Sequence, residues 1–300
     1  MAVNEKRLNV TEFDFDDVKN NLKVFLKNQT EFKDYDFEGS GMSVLLDVLA
    51  YNTHYLGFNA NMLANEMFLD SVSHAKTLGY EVTSARSPIA TVNVALSTTD
   101  ASKTMPAGTA FSTTVDDVSY QFVTIADITA SGSGGTVTFN NAKIYEGTYI
   151  TSKYLVDTSD VAQRFLLPDS RVDTSTLRVQ VQNSASDSTV ATYTKATDIS
   201  QISSTSSVYF LQEVENGRHE VYFGDGNVSK ALSDGNIVIL NYVVTNKTAS
   251  NGASTFSAPS SIDGVSDITV TTVSNAGGGA EPESLASIKL KAPLDYASQG

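Results

Sequence analysis

The chain has 300 residues, with 20 lysines and arginines against 34 aspartates and glutamates, a formal net charge of −14, and no cysteine. Without cysteine there is no disulfide, no thiolate nucleophile and no sulfur-ligated zinc or iron–sulfur centre. An acidic surface of this size repels phosphate backbones and anionic headgroups, which argues against nucleic-acid and membrane partners. The N-terminus has charges but no apolar stretch of a signal peptide, and no run nears the ~18 apolar residues of a membrane span.

Composition shifts near Ser87-Pro88. Before it the apolar period is helical; after it Thr, Ser, Val, Gly and Asp dominate and the period falls to two. The expected class is therefore α+β. An N-terminal helical, bundle-forming segment (1–86) is followed by a predominantly antiparallel β region (87–280), with room for two sub-domains split near 150–170. The start of a further helical element occupies 281–300.

The first helix is expected over about 14–28, with Phe15, Val18, Leu22, Phe25 and Leu26 on one stripe. A second, from Met42 to about Asp70, is the most informative segment. Leu45, Leu49, Leu56, Leu63 and Met67 form one apolar stripe, and Val44, Val48, Tyr51, Tyr55 and Met62 form another about 100° away. Two readings stand side by side. The helix is the centre of a small bundle within the chain, or one stripe is covered by another subunit because the segment holds too few helices to cover both. Asn52 and Asn59, seven residues apart, lie between the stripes, where buried amides fix register and partner number in helical bundles. A short third helix, about Val72 to Leu78, is expected to end at Gly79.

Beyond the boundary the strand signals are Thr91–Leu96, Ser119–Val123, Gly135–Phe139, Leu177–Gln182, Val208–Glu213, Glu220–Phe223 and the strongly apolar Ile237–Val244. Asn216-Gly217 is a hairpin signal, Met105–Thr109 a turn, and Ser131–Gly135 a flexible hairpin tip. The last segment, Glu283 to Lys291, reads as helix stopping near Pro293. The many short strands suggest a sandwich-like domain.

Signals for chemistry are sparse. His54, His74 and His219 lack a histidine or carboxylate at i+4, so structural roles are favoured over a metal site. Asp225, between two glycines, reads as a turn residue rather than a catalytic acid. Asp14, Asp16 and Asp17 lack the order of a calcium loop. With no nucleophile elbow, phosphate loop, dinucleotide fingerprint or zinc helix, no enzyme, cofactor or metal is expected.

Glu31–Ser40, Leu45–Tyr55 and Asn65–Ser71 together resemble the N-terminal region of the larger baseplate wedge protein of contractile-tailed (myovirus) bacteriophages, in the baseplate J-like family. The resemblance returns at Ala75–Tyr80 with Ser87-Pro88, at Tyr222–Gly226, and at Gly277–Ser284 followed by Ala292-Pro293. It implies a structural virion protein of the viral tail, a late protein assembled in the host cytoplasm. In that family two copies join a second wedge protein in a heterotrimer through a core bundle of N-terminal helices. The sheath initiator and a further wedge subunit dock nearby. The β region helps link neighbouring wedges into a ring around the tail tube, coupling host contact to sheath contraction. Carried onto this sequence, the bundle residues are Val44, Leu45, Val48, Leu49, Tyr51, Asn52, Tyr55, Leu56, Asn59, Met62, Leu63 and Met67. Family members are longer, with a ring-forming domain beyond the segment that resembles Ala292-Pro293, so the sequence is either truncated at Gly300, the favoured reading, or that of a short relative lacking the ring contact. The competing readings are a glycan- or host-binding β module of a tail fibre, which would not need the N-terminal helices, and a phage-associated hydrolase, for which no paired carboxylates stand out.

Overall fold

A computed structural model describes residues 15–27, 41–56, 75, 80–160, 163–196, 202–214 and 217–298. The chain forms two compact units: Met1–Tyr80 with Leu285–Gly300, and Glu81–Ser284.

In the first unit, α1 spans Phe15–Lys27 and α2 residues 41–56. Phe15, Val18, Leu22 and Leu26 are half-buried along one side of α1 as the period requires, whereas Phe25, assigned to the same stripe, is exposed. The Lys19 ammonium pairs with the Asp47 carboxylate of α2. The expected continuation of α2 to Asp70 and all of the third helix except Ala75, which is helical, lie outside the described residues.

The described residues of the second unit form two sheets, each of seven strands. The first begins with β1 (Ile89–Ser97), β2 (Ser102–Met105), β3 (Ala110–Val115), β4 (Val118–Val123), β5 (Ile128–Ser133) and β6 (Thr136–Glu146). The second comprises β7 (Thr148–Leu155), β8 (Phe165–Leu167), β9 (Val172–Gln182), β10 (Val190–Lys195), β11 (Val208–Glu213), β12 (His219–Tyr222) and β13 (Ile237–Val244). The chain then returns to the first sheet and adds β14 (Ile268–Gly277) beside β1. Among the described residues, strand pairing is antiparallel except for β10 with β11.

Each sheet has its own apolar core. Val92, Val94, Leu96, Phe111, Phe122, Phe139 and Ile144 anchor the first, joined by Ala253, Phe256 and Ile262 from the returning chain. Phe165, Leu167, Val179, Val221, Val238, Leu240 and Tyr242 anchor the second. The β region thus has two cores, the second inserted in chain order between the strands of the first. The chain leaves the first sheet at Gly147, just ahead of the 150–170 window read from the sequence. Strand periodicity reports which residues face inward, not which core they face, so the nesting has no local signature.

Local readings also sharpen. The tip after β5 is only Gly134-Gly135, both at positive φ, as a two-residue hairpin turn requires. Ser131 and Gly132 belong to β5 itself, and Gly132 is needed because a Cβ there would lie 2.2 Å from the Asp100 carbonyl oxygen. The helix expected to stop near Pro293 instead runs through it, as α3 (Leu285–Ser298). Proline removes its own N–H from the ladder and crowds the carbonyl one turn earlier; Pro293 itself is exposed, while Ile288 and Ala292, one turn apart and both ahead of it, are buried and anchor the helix up to the proline.

Candidate interaction surface

Over its described residues α2 buries a narrow strip, Leu46 and Ala50, one turn apart and both almost fully enclosed. Asp47 on the flank is half-buried and paired with Lys19. Opposite this strip lie Val44, Leu45, Val48, Leu49, Tyr51, Tyr55 and Leu56, each between 45% (Leu49) and 67% (Leu56) exposed. At 100° per residue these seven side chains cover an arc of about 160°, continuous along four turns. Asn52, also exposed, lies inside that arc between the two stripes. Tyr51 and Tyr55 stack along it with ring centroids 6.4 Å apart and planes 9° from parallel. The Thr53 hydroxyl donates to the Leu49 carbonyl oxygen at 2.9 Å, which satisfies it within the helix.

Eight of the twelve bundle residues named from the sequence therefore sit together on one outward face. Asn59, Met62, Leu63 and Met67 lie outside the described residues. The two residues the helix does bury, Leu46 and Ala50, are in neither predicted stripe. A further apolar pair at helical spacing, Leu290 and Leu294, is exposed on α3. Its only signal in the sequence is the i, i+4 spacing itself.

The residues weighed for chemistry stand in structural settings. The Asp225 carboxylate accepts from the Asn227 backbone N–H and side-chain amide, both at 3.0 Å, and the backbone bond leads in holding its pKa below the usual carboxylate range. The Gly226 N–H donates to the Ser229 carbonyl oxygen at 2.9 Å, and a Cβ on Gly224 would meet the Ser229 hydroxyl oxygen at 2.1 Å. Here glycine and aspartate build a turn. His54 is exposed on α2, and His219 is buried on β12 opposite Glu213. His74 lies outside the described residues.

Residues 14–77 match the family model of the baseplate wedge protein gp6-like helical domain, and residues 152–254 match that of the bacteriophage baseplate wedge protein gp6, third domain. The chain belongs to the gp6-like baseplate wedge family. The first match contains α1 and α2 with the exposed apolar face, and the second nearly coincides with the second β sheet. The baseplate wedge protein gp6 of Enterobacteria phage T4 is 29% identical over 313 aligned positions, which cover 92% of this chain and 46% of that protein. The chain thus spans about half the length of this relative. A solved baseplate of the anti-feeding prophage contains a chain with 12% identity and a TM-score of 0.27, covering 98% of this chain and 54% of its own; likeness at that level carries no argument.

Proposed function

We propose that this chain is a structural subunit of a contractile-tail baseplate wedge whose α2 face packs against helices of other wedge subunits. Membership of the family supports the baseplate role and the virion as its place; the carrying observation for the interface is the face itself. Burying one Leu, Val or Tyr-sized side chain is worth about 1.5–3 kcal/mol, so an uncovered arc of seven is a large unsatisfied driving force. The arc is too wide for a helix that lies on a single core and suits one flanked by two neighbours.

The neighbours in this reading are a second copy of the chain and one copy of a second wedge protein, joined as a heterotrimer within the segment 1–86. The β region 87–280 extends outward and contributes to the ring of neighbouring wedges around the tail tube. The sheath initiator and further wedge subunits dock near the bundle. Asn52, with Asn59 one heptad on, sets the register of the bundle, and the role is non-enzymatic. Co-expression with the second wedge protein, followed by native mass spectrometry, is expected to give a two-to-one complex. A monodisperse monomer that fails to retain that partner would sink the reading. Alanine at both Asn52 and Asn59 is expected to yield mixed stoichiometries at unchanged helicity, and unaltered stoichiometry removes the register role.

A further inference from the structure

The two β cores are linked by a pair of crossings that run side by side, outward through Glu146–Thr148 and back through Val244–Asn246. We propose that Glu146 is a clamp that locks these crossings together, so that the two sheets move as one rigid body.

The Glu146 side chain is fully buried, yet it is densely partnered. One carboxylate oxygen accepts from the Thr245 hydroxyl at 2.7 Å and from the Asn246 backbone N–H at 2.8 Å, and the other accepts from the Asn246 side-chain amide at 2.7 Å. All three donors lie on the returning crossing, 99 or 100 residues further along the chain. The backbone of Glu146 belongs to the first sheet, its N–H donating to the Pro88 carbonyl oxygen at 2.9 Å. Thr245 is tied to the second sheet, its N–H donating to the Arg171 carbonyl oxygen at 3.1 Å. Between them Gly147, at φ +128°, brings the crossings so close that a Cβ would lie 2.3 Å from the Val244 carbonyl oxygen.

A second buried carboxylate repeats the device from the other side. Asp173 on β9 accepts the Ser87 N–H, just ahead of β1, at 2.8 Å, while its other oxygen holds the Ser175 N–H and hydroxyl at 3.0 and 2.6 Å. Next to it the Thr174 N–H donates to the Ser84 hydroxyl at 3.0 Å. Each sheet thus sends a carboxylate into a segment of the other. Apolar contacts let surfaces slide, but a buried carboxylate that loses its donors is left uncompensated, so these bonds resist bending of the joint. The use of such a rigid lever rests on the baseplate reading; the rigidity does not, and the test below reads rigidity alone.

Because the chain has no cysteine, Val118→Cys on β4 and Val190→Cys on β10, both exposed, create a unique pair of spin-label sites, one on each sheet. Pulsed dipolar spectroscopy on the full chain is expected to give one narrow distance distribution. In Glu146→Gln, which turns donors of its own toward those of Asn246, the width is expected to at least double with the far-UV circular dichroism unchanged. A broad distribution in the parent, or an unchanged width in Glu146→Gln, overturns the clamp. Should Glu146→Gln not fold, Thr245→Val removes a single donor, and a width equal to the parent's overturns it as well.

Discussion

The helical unit and the β unit handle apolar surface in opposite ways. In the β unit large side chains such as Phe111, Phe122, Phe139, Phe165 and Tyr242 are almost completely enclosed. In the described part of α2 the enclosed residues are one leucine and one alanine, and seven further apolar side chains face outward. One region completes its core from its own strands, so its stability belongs to the single chain. The other leaves its driving force to whatever covers α2, so its energetics belong to an assembly. Substitutions in the two regions should therefore be felt in different experiments.

Phe122→Ala gives the largest effect on the isolated chain. The ring has no exposure and meets Phe256 edge to face at 4.9 Å, so truncation removes buried area and leaves a cavity in the first core. Denaturant titration is expected to show a loss of about 3–5 kcal/mol. A loss under about 1 kcal/mol would mean that this core is not self-sufficient.

Leu45→Asp with Val48→Asp tests the other half of the comparison. Both side chains are half exposed, so the denaturation midpoint of the β unit should not move. Affinity for the wedge partner is expected to fall by at least ~100-fold, about 2.7 kcal/mol, as charge enters a buried seam. If instead the isolated chain is destabilised as strongly as by Phe122→Ala, the α2 face is already covered within the chain and the contrast collapses.

A smaller effect separates two glycines of one hairpin. Alanine at Gly132 places a Cβ against the Asp100 carbonyl oxygen inside β5, an overpacking expected to cost about 2 kcal/mol. Alanine at Gly134 meets open space and pays only for positive φ, about 1 kcal/mol. Thermal denaturation that ranks them in reverse would return Gly132 to the turn.

These contrasts mark what was legible in the sequence. The helical period of α2 shows that its apolar surface exceeds what one packing face needs, but periodicity does not say which part turns inward. The two apolar stripes stand out by their spacing, whereas the strip that turns inward carries Leu46 and Ala50. Strands with a strong apolar signal, such as Ile237–Val244 in β13, could be read directly. The Thr- and Ser-rich β5 and β14 could not, since their stability comes from neighbours in the sheet. Glu146 and Asp173 look like solvent-side positions of alternating strands. Their donors are supplied by residues 99 or 100 positions later for Glu146 and 86 positions earlier for Asp173, so no local pattern announces them.

The smallest expected effect concerns the turn between β9 and β10, where the β unit meets solvent. Asp187 accepts from the Asn183 side-chain amide at 2.8 Å and from the Thr189 N–H at 2.9 Å. Those bonds, the Asn183 amide first, hold its pKa down at about 2. A carboxylate with a depressed folded pKa stabilises the fold above its unfolded pKa of about 3.9, and the contribution is lost as pH falls through the folded value. Hydrogen exchange at the Thr189 amide should therefore be protected at pH 5 and show progressively less protection, after correction for intrinsic rates, from about pH 4 towards pH 2. Asp187→Asn should flatten that dependence and leave the cores of both sheets unaffected. Equal loss of protection in β13 over the same range would mean that acid opens the β unit as a whole, and that its surface turns are no more separable from its cores than α2 is from its partners.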